Sequence, residues 1–137
     1  MRVLPFAILI ASASLVACAT TRMSEPERLA LYSSHAGAPV KQIRYTTPIG
    51  WDKVDDDHLL LTTRPREAWL MRVSGPCLDW GSGKPVIHIS SQAGYVSTGF
   101  DRVTVPGVPA SCRIEEIRPV DVAAVRAAQD RIATATP

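Results

Sequence analysis

Hydrophobic positions fall into one unbroken run followed by many short ones. The run, Val3 to Leu15, is interrupted only by Pro5 and two serines. It is too short to cross a hydrocarbon layer of roughly 30 Å, which takes ~20 apolar residues. Beyond it the pattern changes. Ser24-Glu25-Pro26-Glu27 reads as a helix start: Ser24 caps, Glu27 reaches back, and Pro26 suits the first turn. Leu29, Leu31 and Tyr32 follow, and the helix should end near Ser34, before Gly37. A first strand is expected over Lys41 to Thr46, with Val40, Ile43 and Tyr45 inward. After the turn Pro48-Ile49-Gly50, Trp51 reads as a core anchor. Asp55-Asp56-Asp57 is a solvated turn leading into a buried strand, His58 to Thr63. Arg64-Pro65-Arg66 turns the chain into Glu67 to Val73. There Trp69, Met71 and Val73 share one face and Ala68, Leu70 and Arg72 the other, so the two strands form a hairpin.

Ser74-Gly75-Pro76 breaks the alternation, and Cys77 to Gly83 is irregular. Strands are expected at Pro85 to Ser90 (Ile87 and Ile89 inward, His88 outward), Tyr95 to Thr98, Asp101 to Val105, and Ser111 to Arg118. In the last of these Cys112 and Ile114 alternate correctly but Ile117 falls out of phase, which predicts a bulge near Glu115-Glu116. Asp121 caps a closing helix whose apolar stripe is Val122, Val125 and Ile132, padded by alanines. The expected fold is α+β: one small domain over 25–137. An antiparallel curled β-sheet of six to seven short strands is flanked by an N-terminal and a C-terminal helix.

The apolar run acquires meaning from what ends it. Arg2 precedes it, and Leu15-Val16-Ala17-Cys18 closes it. Small residues leading into a cysteine at the end of such a run resemble the lipobox of bacterial lipoproteins. That resemblance implies removal of a signal peptide, residues 1–17, and lipidation of Cys18, whose thiol is the alkylation nucleophile. Residues 18–24 then form a lipidated tether. An ordinary signal with a chance cysteine is the alternative. Several acyl chains, at about 0.8 kcal/mol per buried methylene, would anchor the chain stably. Ala19 stands where lipoproteins retained in the inner membrane usually carry Asp, so the implied location is the periplasmic face of the outer membrane.

Loss of the signal leaves 120 residues, enough for one core. It also removes Arg2, leaving 14 Lys+Arg against 13 Asp+Glu. With that balance, and with arginines spread along the chain, there is no electrostatic reason to expect a nucleic-acid partner. The remaining cysteines are Cys77 and Cys112. In an oxidising compartment a disulfide is the simplest account. It would close a loop of about 36 residues, worth ~3–4 kcal/mol in the chain-entropy model. Two buried thiols or a metal pair are the alternatives, and the wide spacing without a close Cys or His partner makes a poor zinc site.

Order and spacing along the mature chain also resemble a family of uncharacterised proteobacterial envelope lipoproteins, a domain of unknown function (DUF6491). The matching pieces are Tyr32 with Ala36-Gly37-Ala38-Pro39-Val40, Gly50-Trp51 and Ala68-Trp69-Leu70. After them come Cys77, Asp101-Arg102-Val103, Cys112-Arg113-Ile114 and Ile117-Arg118-Pro119-Val120-Asp121. The resemblance implies a signal, one small domain and paired cysteines. It brings no reaction, ligand, cofactor or catalytic residue.

Candidate chemistry is sparse. His58 beside three aspartates lacks the glycine and spaced oxygens of a calcium loop. Ser90 or Ser91 with His88 and Asp101 can be drawn as a triad, but no nucleophile elbow surrounds either serine. Asp101 and Arg118 suggest a buried ion pair tying the late strands together, with an exposed recognition site around Arg118 and Asp121 as the alternative. Trp80, in a Gly-flanked irregular segment, is either a contact residue or a lid over the cysteines. No cofactor or metal is expected. The chain is expected to be a non-enzymatic binding module that touches the membrane through Cys18 and meets another envelope protein. The second expectation is a small-ligand or envelope-sensing domain, with a pocket lined by Trp69 or Trp80.

Overall fold

The computed structural model describes residues 23–80 and 83–135. The signal segment 1–17, Cys18 and most of the 18–24 tether lie outside them. The described chain runs α1 (Glu25–Ser34), β1 (Gln42–Arg44), β2 (Gly50–Lys53), β3 (His58–Arg64), β4 (Glu67–Val73), β5 (His88–Ile89), β6 (Tyr95–Ser97), β7 (Arg102–Thr104), β8 (Ser111–Val120) and α2 (Val122–Ala135). Six strands form an antiparallel sheet in the order β2-β3-β4-β8-β7-β5. It is a single α+β domain with a helix at each end of its sequence.

One feature differs from the single sheet expected. β1 and β6 leave the main sheet and pair with each other, Ile43 opposite Val96. The reason is that both faces of the main sheet are apolar and both need cover. On one face Leu60, Ala68, Leu70 and Val120 pack with Leu31 of α1 and with Val125 and Ala128 of α2. On the other, Leu59, Leu61, Met71, Val73, Ile114 and Ile117 pack with Ile43 and Val96 of the small sheet. The alternation in β4 therefore divides one strand between two cores.

Local signals explain the elements. The Glu27 carboxylate accepts the Ser24 backbone N–H at 2.8 Å and the Ser24 hydroxyl at 2.6 Å, closing the start of α1. Asp121 accepts the Ala124 N–H at 3.0 Å and caps α2 as expected. β8 carries the expected bulge: Arg72 faces Glu116 while Val73 faces Ile114, so Glu115 is the extra residue. That restores Ile117 to the buried face. The stripe of α2 is a correction. Val125 and Ala128 are buried against the sheet, but Ile132, in the last turn of α2, is 49% exposed.

β8 is the central strand. Its first half pairs with β7 and its second half with β4. The segment Ala36–Val40 runs antiparallel along the second half, bridging Val120 and Ile117 and closing that edge too. Gly37 lets the two backbones approach: a Cβ there would press on the Pro119 ring at 3.0 Å. No helix among the described residues is long and apolar enough to cross a membrane.

Candidate functional site

The buried polar groups decide what chemistry is open to the domain. Asp101 is 2% exposed, yet it does not meet Arg118, and the expected ion pair is absent. Its Oδ1 accepts the Ser90 hydroxyl at 2.7 Å and its Oδ2 accepts the Ser97 backbone N–H at 2.7 Å. Ser90 Oγ in turn accepts the Arg102 N–H at 2.9 Å. The carboxylate thus fastens the end of β5 and the start of β7 to β6 of the small sheet. Arg118 grips backbone instead: its guanidinium donates to the carbonyls of Gly37 at 2.9 Å and Ala36 at 3.1 Å. A guanidinium satisfied by carbonyls has no need of a carboxylate partner. Asp121 is spent on the cap of α2, and its N–H donates to the His35 carbonyl at 2.9 Å.

The same accounting applies to the drawn triad. Ser90 gives its proton to Asp101, while His88 is exposed on β5. The hydroxyl has an acceptor but no imidazole to take a proton from it.

His58 and Asp55 do come together, which consecutive strand positions would not allow. The bend over residues 55–57 carries Asp55 back onto His58. Its Oδ1 accepts the N–H groups of Asp57 at 2.9 Å and His58 at 2.7 Å and stands 2.8 Å from His58 Nδ1. Burial opposes ionisation of Asp55, but the His58 ring and these backbone N–H groups outweigh it and hold the carboxyl below its usual range. Two groups meet, a turn clamp. Among the described residues no three His, Cys, Asp or Glu side chains gather as a metal would require.

Cys77 and Cys112 meet in disulfide geometry, Cα atoms 5.8 Å apart, in the core under the sheet. They join the turn after β4 to the start of β8.

Two of the grooves on the surface have an indole in the wall. In the first, Trp69 stands with Arg44, Arg64, Glu67, Ile43 and Val40 around about 410 Å³. A bulge at Thr63 places that hydroxyl under Trp69, and the indole N–H donates to it at 3.2 Å. The second groove, wider and about 550 Å³, is walled by Trp80, Lys84, Pro85, Val105, Pro106 and Val108. The Trp80 N–H donates to the Gly83 carbonyl at 3.0 Å.

Trp51 and Trp80 meet edge to face, ring centres 5.3 Å apart at 79°. The sequence gives no hint of this contact between residues 29 positions apart. Lys53 Nζ lies 5.6 Å from the Trp80 ring and Lys84 Nζ 5.4 Å from that of Trp51. Each ammonium also has carboxylates: Lys53 pairs with Asp56 at 2.7 Å, Lys84 with Asp52 at 2.9 Å. Burial works against the charge on Lys53, and Asp56, Glu25 and Asp79 more than offset it, raising its pKa.

No curated protein and no solved structure matches the chain. A family model does, over residues 1–136, and its description is "Family of unknown function (DUF6491)". The chain belongs to that family.

Proposed function

We propose that this is a lipid-anchored protein of the bacterial cell envelope that works by binding rather than by catalysis. In this reading Cys18 carries the lipid, the domain sits on the periplasmic face of the outer membrane, and its partner is another envelope component. The observation that carries the reading is the use made of the polar side chains. Asp101, Ser90, Arg118 and Asp121 each hold backbone or one another in place. These four polar side chains are committed to the scaffold, and two of the surface grooves carry an indole suited to recognition. The lipobox at Leu15–Cys18 supports the anchor, and the Cys77–Cys112 pair suits an oxidising compartment.

Metabolic labelling with a clickable palmitate tests the anchor: the wild type should take label and Cys18→Ser should not. Label retained by the mutant sinks it. Crosslinked envelopes then test the binding role, comparing partners recovered with the wild type and with Cys18→Ala. Failure to recover any reproducible partner with either form would count against it.

A second reading has its own support. The Trp69 groove sets an indole beside two guanidinium groups, Arg44 and Arg64, and one carboxylate, Glu67, 3.4 Å from Arg64; the single cation in excess suits a small ligand with one negative charge. Titrating tryptophan fluorescence with anionic metabolites and glycans would reveal it, and a response surviving Trp69→Phe would exclude this groove.

A further inference from the structure

The wide groove and the root of the tether lie at the same end of the domain. Glu25 opens α1, so everything N-terminal leaves from there. Its carboxylate is 3.8 Å from Lys53 Nζ, and that ammonium stands 5.6 Å from the Trp80 ring, which walls the groove. The root is held in place: Arg28, one turn on, donates to the Val54 carbonyl at 3.0 Å. Pro106, in the groove's wall, is exposed, and Val86, which follows the wall residue Pro85 in the chain, is 78% exposed.

We propose that this end of the domain faces lipid: Trp80 and the loops bearing Val86 and Pro106 rest in the headgroup region of the bilayer that holds the chain. The proposal builds on the Cys18 anchor. Residues 18–24, fully extended, reach at most about 25 Å. A domain of this size has a radius of gyration near 13 Å, about 35 Å across. The tether is too short to pass round to the far side, so surfaces near Glu25 are those the bilayer can meet. Their chemistry suits that place. An indole with a bonded N–H prefers the boundary between headgroups and chains, and valine and proline lose nothing by leaving water.

Charge selects the lipid. Lys53 is matched by Asp56 and Glu25, Lys84 by Asp52, and Asp79 adds a further carboxylate close to Lys53. No excess of positive charge is left to attract anionic headgroups. The surface therefore suits zwitterionic lipid, and its contact should respond little to salt.

The full chain, made in a Gram-negative host with clickable palmitate, is reconstituted into phosphatidylcholine–phosphatidylethanolamine vesicles with and without lipids brominated near the headgroup. Bromolipid should quench part of the wild-type tryptophan emission. Trp80→Phe should lose most of that quenching, and Val86→Asp, at an exposed position, should reduce it severalfold. Added salt should change it by less than twofold. Equal quenching in the wild type and both variants overturns the proposal. So does its absence with acrylamide reaching Trp80 freely, which would leave this face to a protein partner. The palmitate label, read on the same sample, keeps the two ideas apart. Label without quenching defeats the lipid-facing surface alone. A wild type without label defeats the anchor, and the lipid-facing surface falls with it.

Discussion

Asp101 accepts the Ser90 hydroxyl at 2.7 Å, and through the other oxygen of the same carboxylate it holds the backbone of Ser97. One side chain thereby joins the end of β5 to β6, and so the main sheet to the small one. Asp101→Ala leaves a half-buried N–H and a half-buried hydroxyl without their acceptor. It should cost about 2–3 kcal/mol. Asp101→Asn should cost roughly half as much, because a carboxamide oxygen can still take the Ser97 N–H. Hydrogen exchange locates the effect: amides of Ile43 and Val96 should lose protection before those of Leu61 and Leu70. Uniform loss over both sheets would mean that Asp101 does not join them.

The β5–β6 connection contains a residue that stores strain. Gln92 and Tyr95 exchange backbone hydrogen bonds at 2.9 Å across a two-residue turn, Ala93-Gly94, with φ of 49° and 80°. Positive φ at both positions is the turn that asparagine-glycine fits best. Alanine there brings its Cβ close to a carbonyl oxygen. Ala93→Asn should raise stability by about 0.5–1 kcal/mol and Ala93→Val should lower it, both seen in urea midpoints at unchanged slope. A lower midpoint for Ala93→Asn would refute the strain.

How much of this was legible depends on how far apart the interacting residues lie. The β3–β4 hairpin and the bulge at Glu115 could be read because their evidence is local: alternation, and Ile117 out of phase with Ile114. The pairing of β1 with β6 could not, since three-residue strands some fifty positions apart carry no mark of their partner. Nothing local in Ala36–Val40, between the helix end and the first strand, shows that it lies along β8. Asp101 is buried and Arg118 half-buried, and charge alone suggests that they meet. Arg118 instead holds backbone carbonyls, and Asp101 a backbone N–H and the Ser90 hydroxyl, partners that the sequence pattern does not single out. The Trp51–Trp80 contact depends on how the segment after Cys77 folds back, and no short-range pattern fixes that.

Acid should weaken the 55–58 turn. The Asp55 carboxyl titrates lower in the folded protein than its ordinary value of 3.8. A group with a depressed folded pKa adds stability that is in place above the unfolded value and drains away as pH falls through the folded one. Urea unfolding from pH 5 down to pH 2 should therefore show a decline that is shallower in Asp55→Asn than in the wild type, with the two curves separated most near pH 5. Parallel curves over that range would show that Asp55 titrates as it does unfolded.

The cysteine pair offers a test free of partner or ligand. Cys77 follows the Gly75-Pro76 break after β4, and Cys112 sits opposite Val103 near the start of β8. Both are buried, so the bridge crosses the core beneath the sheet. It constrains the unfolded chain over a sequence separation of 35, worth ~3–4 kcal/mol by chain entropy. That is a large part of a typical total of ~5–15 kcal/mol. Either single serine substitution removes the whole bond, so Cys77→Ser and Cys112→Ser should cost similar amounts. The double mutant should be little worse than either, because two sites sharing one bond are not additive. Reductant should lower the wild type and leave the double mutant where it was. Thiol counting on the denatured, unreduced Cys18→Ser chain, recovered from the periplasm, should find none free. Two free thiols there, or single mutants whose costs simply add, would mean that the sulfurs meet in the core without being bonded.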